Sequence, residues 1–255
     1  MFHKSIVKIL MRNTIICALV SLTLLISCSD DDSTGPDTST NVAIRTVMPS
    51  PVVRSTAIQD KGTRDVILNG AGIDSISVDR VRLLISSLKV TGVFLGDSTN
   101  FMEPDIKTEP VVLTVDTTTG GQPLLEATIP PGEYEKVKFE FHRFSSSELG
   151  EFAGDPTFGD FATSDRKSSI MEGRIYCGGV AEAFVFSGDA TANLSVFFDS
   201  NIQVDEVDIS ELILEFDPSV LFVDSKSGDL IDPRDSSNEN DIENNLKDAI
   251  RAYKR

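Results

Sequence analysis

Apolar and polar residues alternate through most of residues 42–222. The clearest stretch follows a Pro130-Pro131-Gly132 turn, where Val137, Phe139 and Phe141 alternate with polar residues. A period of two is typical of a strand with one buried face. Runs of β-forming residues separated by Gly, Asp, Ser, Thr and Asn recur at 78–90, 110–115, 181–186, 192–198 and 209–216. The pattern predicts an all-β fold with a single antiparallel β-sandwich domain over residues 42–222.

The chain after residue 222 has a different period. Ser236 and Glu239 have the spacing of a helix capping box. The apolar residues that follow share one helical face; they are Ile242, Leu246, Ala249, Ile250 and Tyr253. Acids precede this stretch and basic residues end it, which complements a helix dipole. Residues 223–255 are therefore predicted to form an acidic loop and a C-terminal helix packed on the sandwich; docking of this helix to a partner is the alternative.

The N-terminus combines three basic residues, Lys4, Lys8 and Arg12, with an apolar stretch over residues 15–26. That stretch is shorter than the roughly 20 residues of a spanning helix. It ends in Leu25-Ile26-Ser27-Cys28, which resembles a bacterial lipobox. The resemblance implies that residues 1–27 are a lipoprotein signal peptide and that Cys28 is lipidated after cleavage. An ordinary cleaved signal peptide or a short membrane anchor is the alternative.

Residues 28–41 contain almost no apolar side chain and are predicted to be a flexible tether. Asp30, Asp31 and Asp32 follow the cysteine closely. They resemble the acidic export signal of Bacteroidota-type surface lipoproteins, which implies display from the outer membrane at the cell surface. Alternatively, the three acids only keep the tether solvated, and the domain faces the periplasm.

Charge and cysteine content restrict the partners. The chain has 23 Lys and Arg against 40 Asp and Glu, a net charge of −17, and removal of residues 1–27 takes away three basic and no acidic side chains, giving −20. Nucleic-acid binding is excluded because it needs clustered basic residues. The acidity favours cations or basic partners, or serves only solubility. Cys177 is the one cysteine left for the folded domain, so no disulfide forms within it.

No catalytic constellation is visible in the sequence. His142 is the single histidine after processing, and no Gly-x-Ser-x-Gly elbow presents a serine. One histidine and Cys177 do not make a zinc site. Cys177 ends a strand-like run before two glycines and is predicted to be a buried small residue rather than a nucleophile. Carboxylate pairs remain available for hydrolysis, although the chain contains no Trp to bind sugars.

Two loops are candidate sites. Asp224, Asp229 and Asp232 could supply hard oxygen ligands to Ca²⁺ from a loop that departs from the EF-hand pattern; otherwise they only solvate that loop. The Gly- and Ser-rich stretch 145–169 carries Phe152, Phe158 and Phe161, which form one candidate ligand loop; alternatively, they pin this stretch to the sandwich edge.

Several of these features together resemble a known type of protein. They are the lipobox and acidic tether, the 77–90 strand, the Ile-Pro-Pro-Gly-Glu-Tyr-Glu-Lys-Val-Lys-Phe stretch at 129–139, and the tail at 231–250. The set is similar to uncharacterised bacterial surface lipoproteins related to a domain-of-unknown-function family with a prealbumin-like (transthyretin-like) sandwich. The resemblance implies a β-sandwich and brings no catalytic residues.

Three function hypotheses follow. The first is a non-enzymatic, lipid-anchored module for binding, adhesion to a protein or glycan, or envelope assembly. The second is an extracytoplasmic hydrolase, or its accessory subunit, acting on polysaccharide or peptide; two convergent, desolvated carboxylates in a cleft would favour it. The third is a fimbria-like structural subunit, which requires a terminal strand that can detach and complete a neighbour's sheet.

Overall fold

The computed structural model describes residues 40–54, 72–117 and 123–255. Strands dominate these residues, which confirms the all-β prediction. The strands are β1 (Val42–Val47), β2 (Val52–Arg54), β3 (Ser75–Phe94), β4 (Asp97–Met102), β5 (Asp105–Lys107), β6 (Val111–Asp116), β7 (Pro123–Ala127), β8 (Gly132–Phe141), β9 (Ser169–Cys177), β10 (Val180–Gly188), β11 (Ala192–Val204), β12 (Ser210–Phe216) and β13 (Ile250–Lys254). The helices are α1 (Leu149–Phe152), α2 (Pro218–Leu221) and α3 (Glu239–Leu246), with a 3-10 turn at Ser236–Asn238.

The 20-residue strand β3 organises the sheet. One of its edges pairs with β2, β6, β5 and β4, and the other pairs with β9 and then β8. Leu84 shows how β8 and β9 meet, because its carbonyl accepts the His142 N–H at 2.9 Å and its own N–H donates to the Ser168 carbonyl at 2.8 Å. Both backbone groups of one strand residue point to the same side. Strands β8 and β9 therefore lie end to end, and residues 142–168 form an insert between them.

The strands form one curled sheet. Its order is β10-β9-β3-β8-β11-β13-β12-β1-β7, with β2, β4, β5 and β6 attached to β3. Strand β1 also contacts β6, and β5 contacts β7, so the sheet bends back toward its own middle. Two pairs, β1 with β12 and β11 with β13, are parallel. The finer prediction of a single antiparallel sandwich is therefore not confirmed.

The main core lies inside the curl. In β8 the side chains of Val137, Phe139 and Phe141 are buried while the intervening residues are more exposed, as the period of two predicts. Tyr134 is also buried, and its hydroxyl donates to the Pro130 carbonyl at 2.6 Å. Burial raises the pKa of Tyr134 to about 12. This hydrogen bond fixes the predicted turn at the start of β8.

The folded domain begins slightly earlier than predicted. The predicted tether lies outside the described residues except for its last two, Thr40 and Asn41. Asn41 is buried, and its amide exchanges two hydrogen bonds of 2.9 Å with the backbone of Ile129. Asn41 therefore belongs to the folded domain, because its amide is hydrogen-bonded to the backbone between β7 and β8, far away in the sequence.

The C-terminal helix is shorter than predicted. Helix α3 ends at Leu246, and Ile250–Lys254 form β13. Ile250 and Ala252 are buried while Arg251 between them is exposed, so these residues follow a period of two. Antiparallel pairing of β13 with β12 explains why a strand replaces the helix, because burial inside the sheet overrides a short helical pattern. The helix was predicted to pack its apolar face on the β domain, and Ile242 and Leu246 of α3 do lie in the core.

The predicted capping box does not form. Asp235 caps the 3-10 turn, accepting the Ser237 N–H at 2.9 Å, and Asn238 precedes α3 without a side-chain cap bond. Glu239 and Asp241 do lie in the first turn of α3, but its last turn has no basic residue. The basic residues expected in the last turn follow the end of α3 at Leu246. Charged side chains therefore complement the helix dipole only at the N-terminal end.

Candidate functional site

One polar surface that contains a groove is the outer face of β3, β8 and β11. Period-two alternation turns Lys136 and Lys138 of β8 away from the core. Lys138 lies between Lys89 of β3 and Ser195 of β11, and Lys136 lies between Thr91 and Phe197. These rows of outward side chains run across the three strands. We call this surface the outer face.

A groove of about 460 Å³ lies on the outer face. The polar side chains that line it include Lys89, Glu103, Lys138, Glu140, Asn193 and Ser195. The floor of the groove is β8, whose backbone is paired with β3 on one side and β11 on the other. Backbone groups of β8 are therefore already used, and a ligand in this groove contacts side chains.

Opposite charges are matched within the outer groove. Lys138 Nζ lies 2.7 Å from Glu103 Oε1, and Lys89 Nζ lies 3.4 Å from Asp105 Oδ1. Ser86 donates to Glu140 at 3.0 Å. The hydrogen bond from Lys138 lowers the pKa of Glu103, with charge interactions from nearby lysines adding to it. The groove therefore presents ammonium groups, carboxylates, an amide and hydroxyls with nearly balanced charge, which suits a polar ligand rather than a highly charged one.

An exposed aromatic ring extends this surface. Phe197 is 62% exposed, and Lys136 Nζ lies 4.9 Å from the centroid of its ring. A cation above an aromatic face is attracted to it, and this contact holds Lys136 over the ring. The sequence contained a signal for this residue, because Phe197 follows Asn193 and Ser195 on the polar side of its strand. An aromatic residue on the polar side of a strand is unusual, but a single exposed residue does not by itself predict a binding surface.

The three phenylalanines of the predicted ligand loop pack inward. Phe161 is fully buried in a second apolar cluster with Leu84, Val112, Phe144, Ala162 and Ile170, and Phe152 and Phe158 pack against that cluster. Phe144 and Phe152 stack with centroids 4.5 Å apart. Leu84 lies on the sheet face opposite Leu83 and Ile85 of the main core, so the insert covers that face locally. The geometry favours the packing alternative over ligand contact.

The insert is also tied to the sheet by charge. Arg82 of β3 donates to Asp160 of the insert at 2.6 Å and to Glu172 of β9 at 2.9 Å. Its guanidinium also lies 5.8 Å from the centroid of the Phe161 ring. One partly buried arginine therefore joins the insert to two strands, which further supports a structural role for residues 142–168.

His142 and Cys177 are both half-buried. His142 follows the last residue of β8, and its buried Nε2 lies 3.6 Å from Glu148 Oε1. Ser145 bonds to Glu148 instead of to His142. Cys177 is a free, half-buried thiol that packs against the main core. Within the described part of the chain, His142 has no hydrogen-bonded nucleophile.

The predicted calcium loop does not bring its three acids together. Asp224 Oδ1 accepts the backbone N–H groups of Lys226 and Ser227 at 2.7 and 2.9 Å. Asp232 accepts two side-chain hydrogen bonds from Arg234, at 3.0 and 2.8 Å. Those bonds lower the pKa values of Asp224 and Asp232. Among the described residues, the three acids whose carboxylate oxygens lie within 4.8 Å of one another are Asp189, Glu239 and Glu243.

The predicted lipidation and export residues belong to the N-terminal part of the sequence. Cys28 and the acids Asp30, Asp31 and Asp32 lie outside the described residues. Among the helices that the structure describes, none has the length and apolar composition to cross a membrane.

No protein-family model, curated protein or solved structure matches this chain.

Proposed function

We propose that this protein is a lipid-anchored, extracytoplasmic module that binds a glycan chain on its outer face without cleaving it. The observation that carries the proposal is the outer groove, which combines donors and acceptors of matched charge with an exposed ring at Phe197. Sugar hydroxyls both donate and accept hydrogen bonds, and the apolar face of a sugar ring stacks on an aromatic side chain. An extended peptide fits less well, because it cannot add as a strand over the paired backbone of β8.

The anchor part of the proposal rests on the sequence. Cys28 after an apolar run implies attachment to lipid, and two or more acyl chains hold a protein on a membrane stably. Asp30, Asp31 and Asp32 support outward display from the outer membrane; a periplasm-facing domain is the alternative. The likeness to surface lipoproteins with a prealbumin-like sandwich belongs to this same proposal.

Carboxylate chemistry in the groove supports binding over hydrolysis. A glycosidase needs one carboxyl group whose raised pKa keeps it protonated as the general acid. The pKa of Glu103 is instead lowered by its hydrogen bond from Lys138. Glu103 therefore remains an ionised hydrogen-bond acceptor at neutral pH, a role suited to holding a hydroxyl group.

The strand order gives no support to a fimbria-like subunit. Strand β1 lies between β12 and β7, and β13 lies between β12 and β11. Both terminal strands of the described fold are therefore inside the sheet. Detaching β13 would also remove Ile250 and Ala252 from the main core, which is costly for a strand that has to be exchanged.

A groove-blocking variant tests the proposed ligand surface. Ser195→Trp places a large side chain in the outer groove at an exposed position, so the fold should tolerate it. The full chain in detergent would be applied to an array of bacterial and host-type glycans and extended peptides. We expect the wild-type chain to bind a glycan, to release no product from it, and to lose at least about tenfold in affinity on Ser195→Trp, since tenfold is about 1.4 kcal/mol.

The matched control is Val185→Trp, because Val185 is 70% exposed on β10, away from the groove. This variant should bind like the wild-type chain. Equal binding by Ser195→Trp and Val185→Trp would show that the outer face is not the ligand surface. Selective binding of peptides, or cleavage of the bound glycan, would contradict the proposed ligand class or the absence of catalysis.

A further inference from the structure

Three carboxylates from separate parts of the chain meet beside α3. Asp189 follows β10 in the turn to β11, whereas Glu239 and Glu243 are one turn apart on α3. Each offers an oxygen atom, and these atoms all lie within 4.8 Å of one another. Like charges spaced four residues apart destabilise a helix, and the third carboxylate adds to the repulsion. A bound cation would relieve this repulsion.

The protein supplies only part of this neutralisation. Arg143 of the insert forms an ion pair with Asp189. Glu243 Oε1 accepts the Ala190 N–H at 2.9 Å, and the Glu239 carboxylate has no hydrogen-bond or ion-pair partner among the described residues. Burial raises the pKa of Glu243, and the charges of Glu239 and Asp189 raise it further, while hydrogen bonds from the Ala190 and Asp189 backbone oppose this. Three carboxylates and one guanidinium leave an excess charge of −2 in their ionised forms.

A buried hydroxyl without a partner faces the same place. Ser169 begins β9, is only 1% exposed, and its Oγ has no hydrogen-bond partner among the described residues. Ser169 is paired with Gly188, the residue before Asp189. A Cβ on Gly188 would collide with Glu243 Oε1 and would lie 2.9 Å from Ser169 Oγ. The missing side chain of Gly188 thus leaves a small space that both oxygen atoms border.

We propose that Asp189, Glu239 and Glu243, together with Ser169 Oγ, bind one divalent cation, and that Ca²⁺ is the ion they fit. All four groups offer hard oxygen ligands, and Ca²⁺ accepts irregular sets of carboxylates, neutral oxygens and water. Its charge balances the excess of −2. Because the ligands come from β9, the β10–β11 turn and α3, the ion fastens the helix to the sheet.

This site differs from the loop that the sequence pointed to. Asp224 and Asp232 already hold local backbone and arginine donors, so their oxygen atoms are engaged. Glu239 is not engaged in that way, and it lies on a separate element from both. The proposed site and the Asp224–Asp232 loop can therefore be compared, because a carboxylate can be replaced by its amide in each.

The test is the melting temperature of the full chain, purified in detergent, in EDTA and in about 10 mM Ca²⁺, with calorimetric titration of Ca²⁺ alone. Extracellular calcium modules bind with Kd values of roughly 10⁻⁴–10⁻³ M, so we expect one ion per chain and a rise of about 3–10 °C. Glu239→Gln should abolish this rise. In EDTA, however, Glu239→Gln should melt higher than the wild-type chain, because it removes one of three repelling charges.

The control is the double variant Asp224→Asn, Asp229→Asn, which should keep the full Ca²⁺ response. Two results would overturn the proposal. One is a wild-type chain that neither binds Ca²⁺ in the titration nor changes its melting temperature. The other is a response that survives Glu239→Gln or disappears in the control, since the ion would then bind elsewhere.

Discussion

Phe161→Ala is expected to lower the free energy of unfolding by about 3–5 kcal/mol, the usual cost of truncating a buried phenylalanine. Phe161 is fully buried between the insert and the sheet, in contact with the cluster around Leu84 and Phe144. Truncation would leave a cavity and expose the junction at which β8 and β9 meet. For a domain of this size the melting temperature should fall by about 6–20 °C, which thermal unfolding followed by circular dichroism would detect.

Phe101→Ala is the matched control for this variant. Phe101 has the same side chain but is 74% exposed on β4, so its truncation should change stability by no more than about 0.5 kcal/mol. A Phe161→Ala protein that melts like the wild type would contradict the packing of residues 142–168. In that case the alternative in which these phenylalanines contact a ligand would regain support.

Ala252→Asn is expected to cost about 2–6 kcal/mol, because it overfills a packed position and buries an amide that lacks partners. Ala252 is 1% exposed and is paired with Leu214 on one side and Phe198 on the other. A helix continuing to Tyr253 would instead place residue 252 beside its apolar face, where asparagine is tolerated. Chemical denaturation of the variant therefore distinguishes the strand from the helix.

The neighbouring residue provides the control. Arg251 points outward. Its Nη2 atom lies 4.0 Å from Asp217 Oδ2, and the arginine side chain is largely exposed to solvent. Arg251→Asn should change stability by less than about 1 kcal/mol, the usual limit for an exposed ion pair. Equal tolerance of asparagine at positions 251 and 252 would refute the β13 strand.

The period of two predicted the strands well wherever it was sustained. All five further runs that the sequence indicated contain or overlap strands of the sheet, and the inward face of β8 is the predicted one. Prediction failed where the pattern was short. Ala249 and Ile250 fit a helical stripe, but Ile250 and Ala252 equally fit a strand, and only pairing with β12 decides between them.

The arrangement of the strands could not be predicted from local sequence. Nothing in the segments of β8 and β9 indicates that they lie end to end on β3, because the contact that shows it joins Leu84 to residues far along the chain. For the same reason the sequence indicated the phenylalanines of the insert but not the cluster that receives them. The outer groove and the Asp189–Glu239–Glu243 cluster likewise depend on pairing between distant segments.

The proposed role at the cell surface requires that Cys28 anchor the folded domain and that the domain be displayed outside the cell. The most direct measurement is protease treatment of intact cells that make the full chain, followed by detection of the chain in the outer-membrane fraction. We predict that protease removes the domain from intact cells without cell lysis. Cys28→Ser should leave no chain in the outer-membrane fraction. Replacing Asp30, Asp31 and Asp32 with Ser should protect the domain from protease, because the domain would then remain on the periplasmic side of the outer membrane. Complete protection of the wild-type chain, or membrane attachment that survives Cys28→Ser, would contradict surface display by this anchor.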